Sequence, residues 1–233
     1  NNGNGTFSDV STAAGIANPA GKGLGVAFCD MDQDADVDIY VANDGKENVL
    51  WLNQHDGTFK NAGLLSGAAL GADGRPKGSM GVDAGDFDDD GDEDLFTTQL
   101  PTEGNSFYVN DGHGLFEDRS APTGLGPQSR GSTGFGTAWF DYDNDGRLDL
   151  FVARYVDYGP PGKHFSCGNN KLGRNFYCVP RLFNPTTNLL FHNNGDGTFT
   201  ETGANLGSLG VFEAKFLMRH MQANAKAFDK YGA

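Results

Sequence analysis

The stretch FDYDNDGRLDLFVAR, residues 140–154, places aspartate at alternate positions, then a glycine, then a strand-like apolar run. Counted from Asp141, aspartate stands at positions 1, 3, 5 and 9, and glycine stands at position 6. Oxygen ligands at alternate positions of a loop can converge on one hard cation. The stretch therefore predicts a cation-binding loop that leads into a β-strand.

The same pattern occurs twice more, in CDMDQDADVDIYVAN (29–43) and GDFDDDGDEDLFTTQ (85–99). The predicted ligands at positions 1, 3, 5 and 9 are Asp30, Asp32, Asp34 and Asp38; Asp86, Asp88, Asp90 and Asp94; and Asp141, Asp143, Asp145 and Asp149. Position 7 would add a backbone carbonyl, from Asp36, Asp92 and Arg147. The loops start 56 and 55 residues apart, and a fixed period of this size indicates an array of similar units.

Each loop is flanked by strand-like sequence. A glycine lies five residues before each first aspartate, at Gly25, Gly81 and Gly136, in a run that alternates bulky with small residues. A second strand follows each loop, and turn pairs such as Asp56-Gly57 then predict a hairpin. The N-terminal NNGNGTFSDV is typical of the end of such a hairpin. Four antiparallel strands per repeat predict an all-β fold of propeller blades.

Calcium is the predicted ion. An EF-hand would need flanking helices and glutamate at position 12, which here is Val41, Thr97 and Val152. Three Ca²⁺ ions would add six positive charges and change the formal charge from −14 to −8. A solvated acidic surface is the alternative. Because Ala35 replaces glycine at position 6 of the first loop, that loop is predicted to bind calcium least tightly.

The overall charge and hydropathy limit the classes of partner. A net charge of −14 argues against nucleic acid, and no apolar run is long enough to cross a bilayer. The chain starts at Asn1 without a signal peptide, so we expect a processed form or a fragment.

The acidic loops and the hairpin NNGDGTFTE resemble FG-GAP/VCBS repeats over roughly residues 2–203. The resemblance is greatest to the branch that contains cartilage acidic protein and the ASPIC/UnbV proteins. It implies a secreted, calcium-clipped β-propeller, as in integrin α-subunits. Such propellers usually have about seven blades. With three full repeats, this chain is expected either to be part of a larger propeller or to be completed by another copy.

Residues 204–233 leave the repeat pattern. Their apolar residues have helical spacing and comprise Phe212, Phe216, Leu217, Met221 and Phe228. Either a capping helix or an arm that docks on a neighbouring chain would have this pattern.

An insertion, about residues 154–188, combines a cysteine pair with basic residues. In a secreted protein Cys167 and Cys178 are predicted to form a disulfide, whereas Cys29 is predicted to be a buried free thiol. The basic residues Arg154, Lys163, Lys171, Arg174 and Arg181 face a single acid, Asp157. The insertion either covers a blade edge or forms a docking surface for an acidic glycan or protein.

Sequence motifs of the common hydrolases are absent, so we predict no enzyme activity. The alternative is a carbohydrate-active module, either lectin-like or an acidic-polysaccharide lyase with groups from Arg154, Tyr155, Lys163 and His164. The sequence favours an extracellular scaffold for adhesion or self-association through open blade edges.

Overall fold

The computed structural model describes residues 1–17, 20–157 and 183–202. Blade I contains β1 (Gly23–Cys29), β2 (Asp38–Asn43), β3 (Val49–Asn53) and β4 (Phe59–Asn61). Blade II contains β5 (Val82–Gly85), β6 (Asp94–Thr97), β7 (Ser106–Asn110) and β8 (Phe116–Asp118). Blade III contains β9 (Gly134–Phe140), β10 (Asp149–Arg154), β11 (Leu189–Asn193) and β12 (Phe199–Glu201). Two four-residue helices, α1 (Gly63–Ser66) and α2 (Leu125–Gln128), follow blades I and II.

Each blade is a sheet of four antiparallel strands that pair in chain order. The all-β prediction and the order of strand, acidic loop, strand and hairpin are therefore confirmed. Neither helix in the described ranges is long or apolar enough to cross a membrane.

The first strands of the three blades lie side by side, with β5 between β1 and β9. Glycine makes this approach possible. A Cβ atom on Gly25 would overlap the carbonyl oxygen of Met80, and one on Gly81 would overlap the carbonyl oxygen of Phe135. The predicted close approach of neighbouring backbone is thus present at two of the three repeat glycines. At Gly136 the nearest atom to an added Cβ is the Ala153 Cβ, 3.9 Å away.

Two apolar clusters fill the spaces between blades. Between blades I and II the buried residues are Met31, Tyr40, Leu50, Ala68, Leu95, Tyr108 and Phe116. Between blades II and III they are Phe87, Phe96, Phe107, Leu125, Leu150, Val152, Leu189, Phe191 and Phe199. The second cluster is rich in aromatic pairs such as Phe87–Phe107, whose centroids lie 4.9 Å apart in edge-to-face geometry. The core of this protein therefore lies between its sheets.

One face of blade I differs from the equivalent face of the other blades. In blades II and III the bulky side of the first strand packs against the preceding blade, through Val82 and Ala84 and through Trp139. In blade I the equivalent Leu24, Val26 and Phe28 are 59%, 51% and 63% exposed. We call this surface, with the paired Ile39 of β2, the leading face of blade I.

Residues 1–17 occupy the place of the end of a preceding blade. The Phe59 N–H donates to the carbonyl of Ala14 at 2.9 Å, and in blade III the Phe199 N–H donates to Thr123 at the same distance. Gly15 and Gly124, the next residues, both have positive φ, 78° and 86°. Ala14 therefore contacts β4 as Thr123 contacts β12. Residues 1–17 contain no strand and Phe7 is 79% exposed, so the hairpin end stays a prediction.

We expect Gly81→Ala to lower the free energy of unfolding by at least about 2 kcal/mol, because the new methyl group must displace the backbone of the next blade. Gly136→Ala is the matched control at the equivalent position of blade III, where an added Cβ has room. Chemical denaturation of the two variants measures the difference. Equal losses of stability would show that the blades do not approach at Gly81.

Candidate metal centres

The three acidic segments connect the first and second strands of their blades. We call residues 30–38 loop I, 86–94 loop II and 141–149 loop III, and number positions from the first aspartate. All three lie at the same end of their blades, because each follows the first strand and precedes the second.

The side chain of the aspartate at position 1 accepts hydrogen bonds from the backbone of its own loop. Its two carboxylate oxygens accept the backbone N–H groups of positions 5 and 6. These bonds are Asp34 N and Ala35 N to Asp30 at 3.0 and 2.8 Å, Asp90 N and Gly91 N to Asp86 at 3.1 and 3.0 Å, and Asp145 N and Gly146 N to Asp141 at 3.1 and 3.0 Å. The carboxylate therefore fixes the curve of the loop through charge-assisted hydrogen bonds.

The aspartate at position 9 is fully buried in all three loops, as Asp38, Asp94 and Asp149. One of its oxygens accepts the N–H of position 2, from Met31, Phe87 and Tyr142 at 2.9, 3.3 and 3.0 Å. The other accepts the N–H of an asparagine that ends the third strand, Asn53, Asn110 and Asn193, at 2.8, 2.9 and 2.8 Å. Two backbone donors thus hold each buried carboxylate at the base of its loop.

Two residues of each loop adopt the left-handed backbone region. At position 6 the φ angles are 73° for Ala35, 94° for Gly91 and 90° for Gly146. This agrees with the positive φ on which the predicted weakness of loop I depends, and Ala35 bears the strain that glycine avoids. Position 4 is also left-handed, with φ angles of 58–62°, in Gln33, Asp89 and Asn144. The sequence did not reveal position 4, because its side chains share no feature beyond polarity.

The carboxylates converge as cation ligands do. Oxygens of Asp30, Asp32 and Asp38 lie within 4.8 Å of one another, as do those of Asp86, Asp88 and Asp90 and those of Asp141, Asp143 and Asp145. Two of the buried carboxylate oxygens, Asp32 Oδ1 and Asp92 Oδ1, have no hydrogen-bond partner among the described residues. In loops I and II, an oxygen-only set with unpaired buried atoms fits a hard cation. In loop III a ring nitrogen of His192 also lies within 4.8 Å of oxygens of Asp143 and Asp149. Which of the residues coordinate an ion, including the carbonyl groups at position 7, stays a prediction.

Burial disfavours the ionised form of these carboxyl groups when no cation is nearby. Burial raises the pKa of Asp94 to about 8. Burial, followed by the charges of Asp90 and Asp88, raises the pKa of Asp92 to about 6. Burial also raises the pKa of Asp38 and of Asp149. A divalent ion would offset this cost, because an adjacent positive charge favours the ionised form.

Basic side chains reach loops I and III in different ways. The His55 ring contacts Asp34 at 2.9 Å and Asp36 at 2.5 Å. In loop III, Arg147 pairs with Asp145, and His192 Nδ1 lies 3.4 Å from Asp143 and 3.3 Å from Asp149. Sequence reasoning missed both histidines, whose only signal was their place in the hairpin of the same repeat. It also missed the asparagine that recurs before each turn.

The predicted basic surface of the insertion is largely outside the described residues, which exclude Lys163, His164, Lys171, Arg174, Arg181, Cys167 and Cys178. Arg154 is described, and its guanidinium group donates to the Thr187 carbonyl, to the Thr187 hydroxyl at 2.8 Å and to Ser132 at 3.4 Å. Tyr155 packs edge to face on Phe135, with centroids 5.1 Å apart. Arg154, at the start of the insertion, is therefore hydrogen-bonded to Thr187 near its end.

Cys29 is a free cysteine, as predicted, but it is half-buried rather than buried. Its side chain packs at the border of the cluster between blades I and II. Burial and the nearby carboxylates, Glu93 first, raise the pKa of the thiol to about 12.

The fold and loops together define a repeat protein of four-stranded blades, each with an acidic loop suited to a cation. The sequence model of the FG-GAP-like repeat family matches residues 30–97 and 86–152, more than half of the chain. The chain belongs to this family.

Cartilage acidic protein 1 of Mus musculus is 30% identical to the chain over 190 residues, and its Homo sapiens counterpart is 30% identical over 195 residues. Each match covers 78% of this chain and 28% of the relative, so the chain spans about 28% of the length of these relatives. The match is to a repeat family rather than to an enzyme family, in agreement with the prediction.

A solved structure of an Agrocybe aegerita lectin, described for recognition of non-reducing terminal N-acetylglucosamine, is also similar. It is 15% identical with a TM-score of 0.28, and the match covers 74% of this chain and 49% of the lectin chain. Similarity at this level carries no argument about fold or ligand.

We expect Gly146→Ala to lower the free energy of unfolding by about 1 kcal/mol, because alanine is strained at a φ of 90°. An added Cβ at Gly146 meets nothing within 4 Å, so backbone conformation alone is tested. The converse change, Ala35→Gly, should raise stability by a smaller amount, since glycine also loosens the unfolded chain. Thermal unfolding of both variants measures this. A neutral Gly146→Ala would contradict the left-handed conformation at position 6.

Proposed function

We propose that the protein is a calcium-stabilised extracellular scaffold that holds about three Ca²⁺ ions, one in each acidic loop. The observation that supports this most is the repetition of one hydrogen-bonded frame in three loops, each around a fully buried aspartate. A chance acidic surface would not bury the same carboxylate three times, since burying a charge without compensation is costly.

Calcium fits better than the other divalent ions. The loops offer carboxylates at alternate positions, and Ca²⁺ accepts six to eight oxygen ligands in flexible geometry, whereas Mg²⁺ wants a stricter octahedron. The donor atoms of loops I and II within 4.8 Å of one another are carboxylate oxygens, which disfavours the softer transition metals. In this proposal the ions connect the first two strands of each blade and remove the repulsion between clustered carboxylates.

The extracellular assignment is supported by the relatives and by the cysteines. The similarity to cartilage acidic protein 1 and the spacing of Cys167 and Cys178 agree with a secreted protein that has one disulfide. We propose residues 1–203 as the repeat segment, with the insertion at about 154–188, and residues 204–233 as a separate tail. The insertion would dock an extracellular protein or an acidic glycan through its basic side chains. The Arg154 guanidinium group already donates hydrogen bonds to Thr187.

Self-association is the second proposed activity, and the leading face of blade I supports it. Leu24, Val26 and Phe28 are exposed, whereas Val82 and Ala84 of blade II and Trp139 of blade III pack against a blade. Phe135, the equivalent of Leu24 in blade III, is 44% exposed. A second copy that presents a blade to this face would continue an interface that the chain already uses twice. Contiguous exposed apolar residues often mark such contacts.

The calcium proposal predicts three ions per chain by calorimetric titration and a lower Tm after chelation with EGTA. A single ion at 100 times its dissociation constant stabilises the folded state by about 2.7 kcal/mol. Asp94→Asn, which removes the buried charge of loop II, should reduce the number of bound ions by one. The control Asp73→Asn removes an exposed charge outside the loops and should retain three. Binding of no ions, or an unchanged Tm in EGTA, contradicts the proposal.

The self-association proposal predicts a concentration-dependent rise in mass by light scattering in calcium. Phe28→Ser should reduce the rise, because it removes the most exposed apolar side chain of the leading face. Leu65→Ser is the control, since Leu65 is 83% exposed and belongs to α1 rather than to the leading face. A chain that stays monomeric at all concentrations, or an equal effect of the two variants, rejects the leading face as the contact.

A further inference from the structure

The asparagine at the end of the third strand occupies the same place in each blade, as Asn53, Asn110 and Asn193. Its backbone N–H holds the buried aspartate of its own loop, as described above. Its side-chain amide contacts the carbonyl that precedes that aspartate, from Val37, Glu93 and Leu148 at 3.3, 3.3 and 3.1 Å. Each asparagine thus makes two contacts with the acidic loop of its own blade, one through its backbone N–H and one through its side-chain amide.

In two blades the same amide also crosses to the preceding blade. Asn110 Nδ2 donates to the Met31 carbonyl at 2.9 Å, and Asn193 Nδ2 donates to the Phe87 carbonyl at 2.8 Å. Both acceptors are position 2 of the neighbouring loop, between the ligands predicted at positions 1 and 3. Both asparagines are at least 95% buried, so water does not compete for these bonds.

These bonds form a continuous path through all three loops. Asp38 accepts from the Met31 N–H, and the Met31 carbonyl accepts from Asn110, whose own N–H holds Asp94. The path continues from Asp94 to the Phe87 N–H, and from the Phe87 carbonyl to Asn193. It ends at Asp149, which accepts the N–H of Asn193. The aspartate at position 9 of every loop therefore lies on one chain of hydrogen bonds.

We propose that Asn110 and Asn193 couple the cation loops energetically, so that an ion in one loop strengthens ion binding in the next. This inference rests on the proposed calcium binding. An ion that orders loop II fixes the Phe87 carbonyl, which fixes the Asn193 amide, and the Asn193 backbone then holds Asp149 in its place in loop III. A loop that is already ordered costs its neighbour less conformational entropy on binding. The effect must be reciprocal, because coupling between two binding equilibria has the same size in both directions.

Blade I provides a natural comparison. Asn53 is half-buried, and among the described ranges its amide donates only to the Val37 carbonyl of its own loop. It therefore has the local role of Asn110 and Asn193 without the bond across blades. A change at Asn53 tests the loss of the local contact alone.

Loops II and III are the cleaner pair to test. Between loops I and II a second link exists, from Gln33 Nε2 to the Gly91 carbonyl at 3.2 Å. The equivalent of Gln33 in loop II is Asp89, and an ionised carboxylate has no hydrogen to donate. Within the part of the chain that the structure describes, the hydrogen bond from the Asn193 amide to the Phe87 carbonyl is thus the direct link between loop II and the strand that holds loop III.

The part of the terbium luminescence that is lost in Tyr142→Phe reports on loop III, because Trp139, which lies against Gly85 beside loop II, can also transfer energy to Tb³⁺. Tb³⁺ replaces Ca²⁺ at oxygen sites and luminesces when a neighbouring tyrosine is excited. Loop III contains Tyr142 at position 2, whereas loops I and II have Met31 and Phe87 there. Competition of Ca²⁺ against the Tyr142-sensitised signal therefore measures the calcium affinity of loop III in the full chain.

The experiment compares this affinity with loop II intact and with loop II disabled by Asp86→Ala and Asp88→Ala together. With Asn193 present, disabling loop II should weaken loop III by about five-fold or more, the lower end of typical coupling. With Asn193→Ala, which keeps the backbone N–H that holds Asp149, disabling loop II should have no further effect. With the control Asn53→Ala the five-fold loss should remain.

An undiminished loss in the Asn193→Ala background overturns the proposed role of Asn193. An unchanged loop III affinity when loop II is disabled overturns the coupling itself, and this comparison needs no change at Asn193. If Asn193→Ala does not fold, Asn193→Ser takes its place, because serine also lacks the reach to Phe87. Amide hydrogen exchange of residues 141–149, with loop II intact and disabled, is the second readout and should rise when loop II is disabled. Failure of the unmodified protein to bind either ion would refute the calcium proposal, whereas three independent sites would refute only the coupling.

Discussion

The structure depends on the burial of one carboxylate per blade. Asp38, Asp94 and Asp149 are removed from water completely and are held by two backbone donors each. Two hydrogen bonds compensate part of the desolvation of a carboxylate, and a nearby cation can supply the rest. The need to satisfy this charge explains why the first strand, the loop and the third strand of a blade meet at one point.

The spaces between blades place a second demand on the sequence. Sheets that pack through large aromatic residues such as Phe107 and Tyr108 must still bring their first strands close together, and only a residue without a side chain allows this at Gly25 and Gly81. The 35 glycines of the chain are therefore not a sign of disorder. Gly25 and Gly81 serve backbone contacts between blades, and Gly91 and Gly146 serve left-handed turns within them.

Much of this architecture could be predicted because the repeat presents each pattern three times. The aspartates at positions 1, 3, 5 and 9 stood out by their spacing, and the alternation around Gly25 and Gly81 indicated strands with one crowded face. The asparagine of the third strand was equally regular, yet a single polar residue before a turn is common and has no spacing of its own. Its partners, Met31 for Asn110 and Phe87 for Asn193, lie 79 and 106 residues away. Contacts of that range follow from the packing of blades, which local periodicity does not encode.

Because backbone donors build the frame of each loop, the remaining side chains can differ without loss of the frame. Loop I receives His55 and loop III receives Arg147, and each pairs with a carboxylate. Loop II contains seven carboxylates between Asp86 and Asp94, and among the described residues no basic side chain forms an ion pair with them. The loop between the other two therefore has the greatest need of a cation. It is also the loop to which both crossing asparagines connect, Asn110 by its backbone and Asn193 by its amide. Under the proposed coupling, ion binding in loop II would therefore influence both neighbouring loops.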